Sequence, residues 1–198
     1  LVNAGNAGVF KSFETISLNA AAGTTLDLDL LTKSTITSIA RDVAAGIQTL
    51  LNVKKSQSLT INTNATNATT LTFKASEVAG TADAYTINFA KETSGVSFDA
   101  GTVTIAGIET VTVNSLGKTS AATDTNKITL NDTAAKSLVI TGDKALTVAF
   151  DTAFGTAGSA TNGLGVSTID ASASTAGIKI VTGELAKVEA ASSGLTIK

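Results

Sequence analysis

The sequence lacks histidine, cysteine, methionine, tryptophan and proline, and it contains one tyrosine and one arginine among its 198 residues. Histidine is the usual proton carrier near neutral pH, and cysteine and histidine are the usual ligands of transition metals. The side chains that most catalytic mechanisms require are therefore missing, and we expect the protein not to be an enzyme. Paired carboxylates can cleave sugars, but such sites normally gather aromatic, arginine or histidine partners, which are nearly missing here.

Charge argues against a nucleic-acid partner, and hydropathy argues against a membrane-spanning segment. The net charge is -2 and the isoelectric point is about 5.1, and no basic stripe is present, so we expect no nucleic-acid partner. No apolar run reaches the roughly 18 to 20 residues that span a bilayer, so we expect no transmembrane segment. The chain begins with Leu1 and shows no signal-peptide pattern, which indicates a piece of a longer protein whose export signal and anchor lie elsewhere.

Alternation of polar and apolar residues is the main structural signal. Runs rich in β-branched residues recur roughly every 8 to 11 residues and are separated by Gly, Asn, Asp and Ser, which predicts short strands. Dipeptides typical of two-residue hairpins are nearly absent, and proline, which cannot donate to a strand ladder, is missing. We predict a mainly β chain that forms a parallel β-solenoid, with one or two short helices, and we keep a β-sandwich as the alternative. The clearest runs are Leu59–Ile61, Leu71–Phe73, Thr102–Ile105, Thr110–Val113, Ile128–Leu130, Leu146–Val148, Ile178–Ile180 and Leu195–Ile197.

Two segments are ambiguous. Residues 37–52 place apolar side chains at helical spacing, so one amphipathic helix and two solenoid strands are both compatible with that stretch, although Gly46 weakens a helix by about 1 kcal/mol. Residues 181–191 have a similar ambiguity. The glycine-rich segment 155–165 lacks the lysine and the strand-to-helix context of a phosphate-binding loop, and we interpret it as a loop.

A weak internal repeat supports stacking. Residues 9–19 align with residues 104–114, and both copies read apolar-Glu-Thr-apolar-polar-apolar-Asn. Repetition of a small unit is typical of quasi-one-dimensional folds. We therefore describe residues 1–198 as one elongated β-rich region, in which 1–100 and 101–198 are candidate halves.

These phrases also carry a resemblance. Ile108–Asn114, Phe13–Asn19 and strand repeats of a chain rich in Thr, Ala and Asn, such as Asn126–Asp132 and Lys136–Asp143, resemble bacterial S-layer (surface array) proteins of the type I-secreted Campylobacter and Caulobacter kind. That resemblance implies a β-solenoid subunit at the extracellular bacterial cell surface, assembly with copies of itself aided by Ca²⁺, and contact with cell-surface polysaccharide through parts outside this sequence. The glycine-rich calcium nonapeptide of other secreted repeats is absent.

Four carboxylates are the candidate calcium ligands. Each follows or ends a predicted strand, and carboxylates of stacked strands about 4.8 Å apart repel unless a cation bridges them. If successive strands belong to two walls, only every other carboxylate stacks, and the alternative role is that of ordinary turn residues that cap the local backbone. The four residues are Asp132, Asp143, Asp151 and Asp170.

Two other polar sets were weighed. Asp27 and Asp29 alternate with leucines and predict the solvated face of a strand. A second set predicts outward threonine ladders that either bind ice or glycans or keep the strand face soluble: Thr60, Thr72, Thr102, Thr104, Thr110 and Thr112.

The functional hypotheses follow from these patterns. The first is a structural segment of a secreted surface layer that self-assembles into a protective lattice. The alternatives are an adhesin or autotransporter-type binding domain and the outer domain of a flagellin-like filament protein.

Overall fold

The computed structural model describes residues 3–90, 97–117, 124–151, 154–155, 166–181 and 196–198. Within these ranges, two 3-10 helices are present, η1 (Ala7–Val9) and η2 (Leu28–Leu31). The strands are β1 (Thr15–Leu18), β2 (Thr24–Asp27), β3 (Ser38–Arg41), β4 (Gln48–Val53), β5 (Ser58–Ile61), β6 (Thr69–Phe73), β7 (Ala84–Phe89), β8 (Asp99–Thr104), β9 (Thr110–Ser115), β10 (Asn126–Asn131), β11 (Ser137–Gly142), β12 (Leu146–Phe150), β13 (Thr168–Ser174), β14 (Ile178–Val181) and β15 (Thr196–Ile197).

Successive strands alternate between two sheets. Sheet A contains the odd-numbered strands in the order β1-β3-β5-β7-β9-β11-β13-β15, and sheet B contains the even-numbered strands in the order β2-β4-β6-β8-β10-β12-β14. Each strand therefore pairs with the strand two places along the chain, and all these pairs are parallel. The predicted architecture, two parallel sheets of short strands consistent with a β-solenoid, is confirmed.

One coil of the chain adds one strand to each sheet. We call the connection from sheet A to sheet B the first corner, and the connection from sheet B back to sheet A the second corner. Aligned residues of neighbouring coils are 20 residues apart at Ser38 and Ser58 and 28 apart at Leu59 and Ile87. The strands stay in register over this variation because the corners absorb the difference in length.

The core is a set of aligned apolar columns between the sheets. In sheet A, one column places β-branched and leucine side chains of successive coils directly above one another, each with no exposed surface. Branched side chains fill such a narrow interior because their shape suits the pleat and their rotamers are few. The members of this column are Ile39, Leu59, Ile87, Val113 and Ile140.

The internal repeat marks the same position in two coils. Glu14 immediately precedes β1 and Glu109 immediately precedes β9, and both strands belong to sheet A. The Glu14 carbonyl accepts hydrogen bonds from the N–H groups of residues 37 and 38, and the Glu109 carbonyl accepts from those of residues 136 and 137. The repeated phrase therefore encodes the entry from the second corner into sheet A.

The helix alternative for residues 37–52 is wrong. That stretch forms β3, a first corner and β4, because its inward side chains lie opposite partners in the next coil and Gly46 has a φ of 80° at the turn. The strand interpretation of Asp29 is also wrong: β2 ends at Asp27, whose Oδ1 accepts a hydrogen bond from Asp29 N and caps η2. The ambiguous segment 181–191 and the loop 155–165 lie almost wholly outside the described residues.

Gly142 ends β11 where the chain turns tightly against the preceding coil. Its φ is 108°, and a Cβ at this position would lie 2.1 Å from the carbonyl oxygen of Ser115. Both the backbone conformation and the contact therefore require glycine.

We predict that Gly142→Ala lowers the free energy of unfolding by about 2 to 4 kcal/mol, since alanine must strain the backbone and displace a backbone carbonyl. Gly177→Ala is the matched control, because nothing lies within 4 Å of a Cβ there. Urea unfolding followed by circular dichroism measures both variants. Equal stabilities for the two variants would contradict the tight turn.

Candidate functional site

Two columns of buried polar side chains flank the apolar core, one inside each corner. Buried charged groups are rare in proteins unless they are paired or hydrogen-bonded, so these columns mark where the fold places its polar chemistry. Among the described residues, the ionisable members are cationic in the first corner and anionic in the second. The first corner contains Arg41, Gln48, Thr69, Ser115, Asn126 and Lys144, and the second contains Gln57, Asp83, Glu109 and Asp132.

The second corner is joined by carboxylates that accept hydrogen bonds from the backbone of the preceding coil. Glu77 Oε2 accepts from Lys55 N at 3.0 Å, and Glu109 Oε2 accepts from Asp83 N at 2.8 Å. A corner N–H cannot use the strand ladder, and leaving it buried without a partner costs about 1 to 3 kcal/mol. The carboxylates therefore continue the contact between coils where the sheets end.

Asp132 makes the most extensive of these contacts. It is 1% exposed, and its carboxylate accepts from Gly107 N and Ile108 N of the preceding coil and from Ala134 N of its own turn, at 3.0 to 3.1 Å. Burial raises the pKa of Asp132 to about 6, against the three N–H groups that favour the anion, and the charge of nearby Glu109 adds a smaller increase. This side chain has the properties of a structural cap.

Asp83 has the opposite electrostatic setting. Its carboxylate forms an ion pair with Lys55 Nζ of the preceding coil and accepts from Gly80 N at 3.1 Å. The hydrogen bond from Lys55 and the lysine charge hold the pKa of Asp83 below its usual range, although burial opposes them. Asp83 and Asp132, which lie two coils apart in the same corner, thus have proton affinities that shift in opposite directions.

Side-chain acceptors of one coil also hold the backbone of the preceding coil in the first corner. Here the acceptors are two asparagines and one aspartate, so the arrangement needs an oxygen atom and not a full charge. The three bonds run from Gly46 N to Asn67 Oδ1 at 3.1 Å, from Phe98 N to Asn126 Oδ1 at 2.9 Å and from Gly117 N to Asp143 Oδ1 at 3.0 Å.

Arg41 fills the first corner from inside and is fully buried. Its guanidinium donates to Thr69 Oγ1 at 2.6 Å and to the carbonyl oxygens of Ala44, Gly46 and Ala68 at 3.1 to 3.4 Å. Burial lowers the pKa of Arg41. All described contacts of Arg41 are uncharged carbonyl and hydroxyl oxygens. Its guanidinium therefore satisfies the hydrogen-bonding capacity of the turn carbonyls and does not pair with an acid.

Lys144 is the second buried cation of this corner. It is 1% exposed, its Nζ has no hydrogen-bond partner among the described residues, and its Cδ would lie 2.8 Å from a Cβ on Gly117. The same corner also holds the unpartnered Nε of Arg41 and Oε1 of Gln48.

The structure does not gather the four predicted calcium ligands. Asp132 and Asp151 follow neighbouring strands of sheet B, Asp143 lies in the first corner, and Asp170 lies within β13. Asp170 accepts from Ser172 N and Oγ, which is the main reason that its pKa is lowered, and Lys198 lies 3.8 Å away. Among the described residues, no group of three or more acidic side chains could hold a metal ion. Calcium binding by these aspartates stays a prediction.

The predicted threonine ladders divide between the two outer faces. Thr60, Thr110 and Thr112 lie on sheet A, while Thr72, Thr102 and Thr104 lie on sheet B. The register does produce true threonine rows on sheet B. One consists of Thr25, Thr49, Thr70 and Thr104, and the other of Thr102, Thr129 and Thr147.

A polar cleft of about 360 Å³ lies beside η2, where Asp29 forms an ion pair with Lys74. Its other polar lining includes Asn52, Lys54 and Gln57. Gln57 is already engaged, since its Nε2 donates to the Ile36 carbonyl at 3.2 Å and its Oε1 accepts from Lys54 N at 2.8 Å. The cleft therefore offers a ligand the Asp29–Lys74 ion pair, the side chain of Lys54 and neutral groups.

Comparisons with known proteins found no match: no family model, no curated protein and no solved structure is similar to this chain. None of the helices in the described part of the chain has the length and apolar character needed to cross a bilayer.

Sequence reasoning missed the polar columns. Arg41 carried one usable signal, since it is the single arginine and lies two residues after Ile39, on the same inward face of β3. No sequence signal indicated that Asp83 is buried, because it lies in a polar loop whose burial depends on the coil that follows.

The two carboxylates predict a stability maximum in mildly acidic solution. Because the folded-state pKa of Asp132 is raised, the folded protein retains a proton that the unfolded chain releases above about pH 4, so stability falls as the pH rises towards and past 6. Because the pKa of Asp83 is lowered, its contribution is present above pH 4 and is lost below that. Urea unfolding should show about 1 to 2 kcal/mol more stability at pH 5 than at pH 7.5.

Matched variants separate the two groups. Asp132→Asn should remove the difference between pH 5 and pH 7.5, whereas Asp83→Asn should leave that difference and weaken the loss below pH 4. An unchanged profile in Asp132→Asn would show that another group titrates.

Proposed function

We propose that this chain is a structural segment of a secreted bacterial surface layer, in which copies assemble side by side into a protective coat on the cell. The observation that carries the proposal is the stack of parallel strands, whose two outer faces repeat polar side chains from coil to coil. Such a stack is stiff because every inner strand is bonded on both edges, and it exposes a repeating surface rather than a single pocket. The resemblance of its strand phrases to S-layer proteins supports the same function.

Calcium fits this proposal as a bridge between copies. Ca²⁺ requires six to eight oxygen ligands, and the described part of one chain gathers no such set. Asp143 is exposed and is engaged through one oxygen by Gly117 N, so its carboxylate can be shared with a neighbouring copy. Asp132 cannot serve in this way without losing its three backbone contacts.

Assembly in solution tests the function. We expect the purified chain to form ordered sheets by negative-stain electron microscopy when millimolar Ca²⁺ is added, and to disperse when EGTA removes it. Asp143→Asn should weaken assembly, and Lys54→Gln, also at an exposed corner position, should not. A monomer that ignores calcium and binds a glycan array would instead support the adhesin-type alternative.

A further inference from the structure

The outer face of sheet A carries no charged side chain from β1 to β11. Protein surfaces usually mix acidic and basic side chains at roughly a quarter to a third of positions, so an uncharged face across six strands is unusual. We call it the neutral face. Its residues are Thr15, Ser17, Ser38, Ala40, Ser58, Thr60, Ala84, Thr86, Asn88, Thr110, Thr112, Asn114, Ser137, Val139 and Thr141.

The outer face of sheet B provides the internal comparison. It has the same architecture and similar threonine rows, but it presents Asp27, Asp99, Lys127 and Lys179 at strand positions. Among the described residues, most of the other charged side chains lie in the corners, and some of them are buried there. The lack of charge is therefore a property of one face and does not follow from the fold.

The neutral face is also preorganised. Asn114 Nδ2 donates to Asn88 Oδ1 at 3.3 Å, and Thr141 Oγ1 donates to Asn114 Oδ1 at 3.1 Å, so the side chains of three neighbouring strands form a ladder. The other members are short, and short side chains lose little conformational entropy when they are covered. Covering this face thus costs less than covering one of lysines and glutamates.

Its chemistry selects among possible partners. A charged partner would find no countercharge on the strands of this face. A sugar would find no aromatic ring on them either, because Tyr85 and Phe89, the aromatic residues of these strands, are buried, and the exposed Phe13 lies before β1. A second copy of the chain brings a face of the same polarity and the same strand spacing of about 4.8 Å, so hydroxyl and amide groups recur in step on both sides. We propose that the neutral face is the surface through which two copies of this chain pack face to face.

The available area fits such a contact. The six strands of the neutral face together with the adjacent β13, each of about five residues, cover roughly 34 by 17 Å, or about 1,100 Å² in total over two copies. That is close to the lower limit of about 1,000 to 1,200 Å² for a specific interface. The contact is therefore weak for an isolated pair and effective where many copies are held together, as in a lattice.

Charged side chains border this face at Asp42, which follows β3 and accepts a hydrogen bond from Ser17 Oγ, and at Asp170 on β13. β13 lies beside β15, the last strand of sheet A, and symmetry places Asp170 in a favourable position. A two-fold axis along the strands through β7 sets β13 of one copy against β1 of the other. Each Asp170 then meets uncharged side chains and stays distant from its symmetry mate.

A matched pair of substitutions tests this inference, which rests on the proposed function. Thr86 is the register partner of Thr112 on the neutral face, and Thr129 lies between Thr102 and Thr147 on sheet B; both are half-buried. Thr86→Lys should weaken self-association at least tenfold by sedimentation velocity across a concentration series. Thr129→Lys should leave it unchanged, and both variants should keep the wild-type circular dichroism spectrum and melting temperature within a few degrees.

Cross-linking gives an independent readout. The chain contains no cysteine, so Thr86→Cys and Thr129→Cys each introduce one thiol. A bismaleimide with a spacer of about 10 Å, the distance between packed sheets, should trap dimers of the first variant and far fewer of the second. Equal dimer yields, or a wild-type chain that stays monomeric at the highest concentration, would overturn the inference.

The inference and the proposed function can fail separately. If Thr86→Lys still forms calcium-dependent sheets like those of the wild type, the neutral face is not the contact and the surface-layer function stands. If face-to-face dimers form but no array appears with calcium, the contact stands and the surface-layer function does not.

Discussion

The parallel hydrogen-bond ladder between successive coils is the interaction on which the rest of the structure depends. Each strand pairs with strands one coil away, and it does not pair with the strand that follows it in the sequence. A one-residue slip in any pair would turn its apolar side chains outward, so the aligned columns of the core and the ladder specify each other. Bonding of every inner strand on both edges then extends this register along the whole stack.

The strand hydrogen bonds end at the corners, and there the buried polar columns supply the hydrogen bonds between coils. Carboxylates and amides of one coil accept N–H groups of the preceding coil across separations of 21 to 28 residues, which correspond to one turn of the solenoid. Arg41 supplies the complementary need, because it donates to turn carbonyls from within. The buried polar side chains, which in another fold could form a binding or catalytic site, here join neighbouring coils. The neutral face is a separate, uncharged surface that remains available for contact with another molecule.

Local sequence predicted the strands well because their side chains alternate strictly. Runs such as Thr110–Val113 and Ile128–Leu130 have β-branched residues at period two and turn residues at both ends. The helical spacing in residues 37–52 was misleading, since inward residues on either side of a corner fall at similar intervals. The aspartates could not be placed from sequence, because whether Asp132 is buried or Asp143 exposed depends on which corner it occupies and on the coil that covers it.

Nuclear Overhauser contacts between strands test the coil architecture most directly. The account predicts backbone contacts between Val111 and Leu138 and between Leu130 and Phe150, which are register partners in sheets A and B. It predicts no ladder between β10 and β11, although these strands are consecutive in the chain. An antiparallel set of contacts between β10 and β11 would contradict the solenoid and favour a sandwich of hairpins.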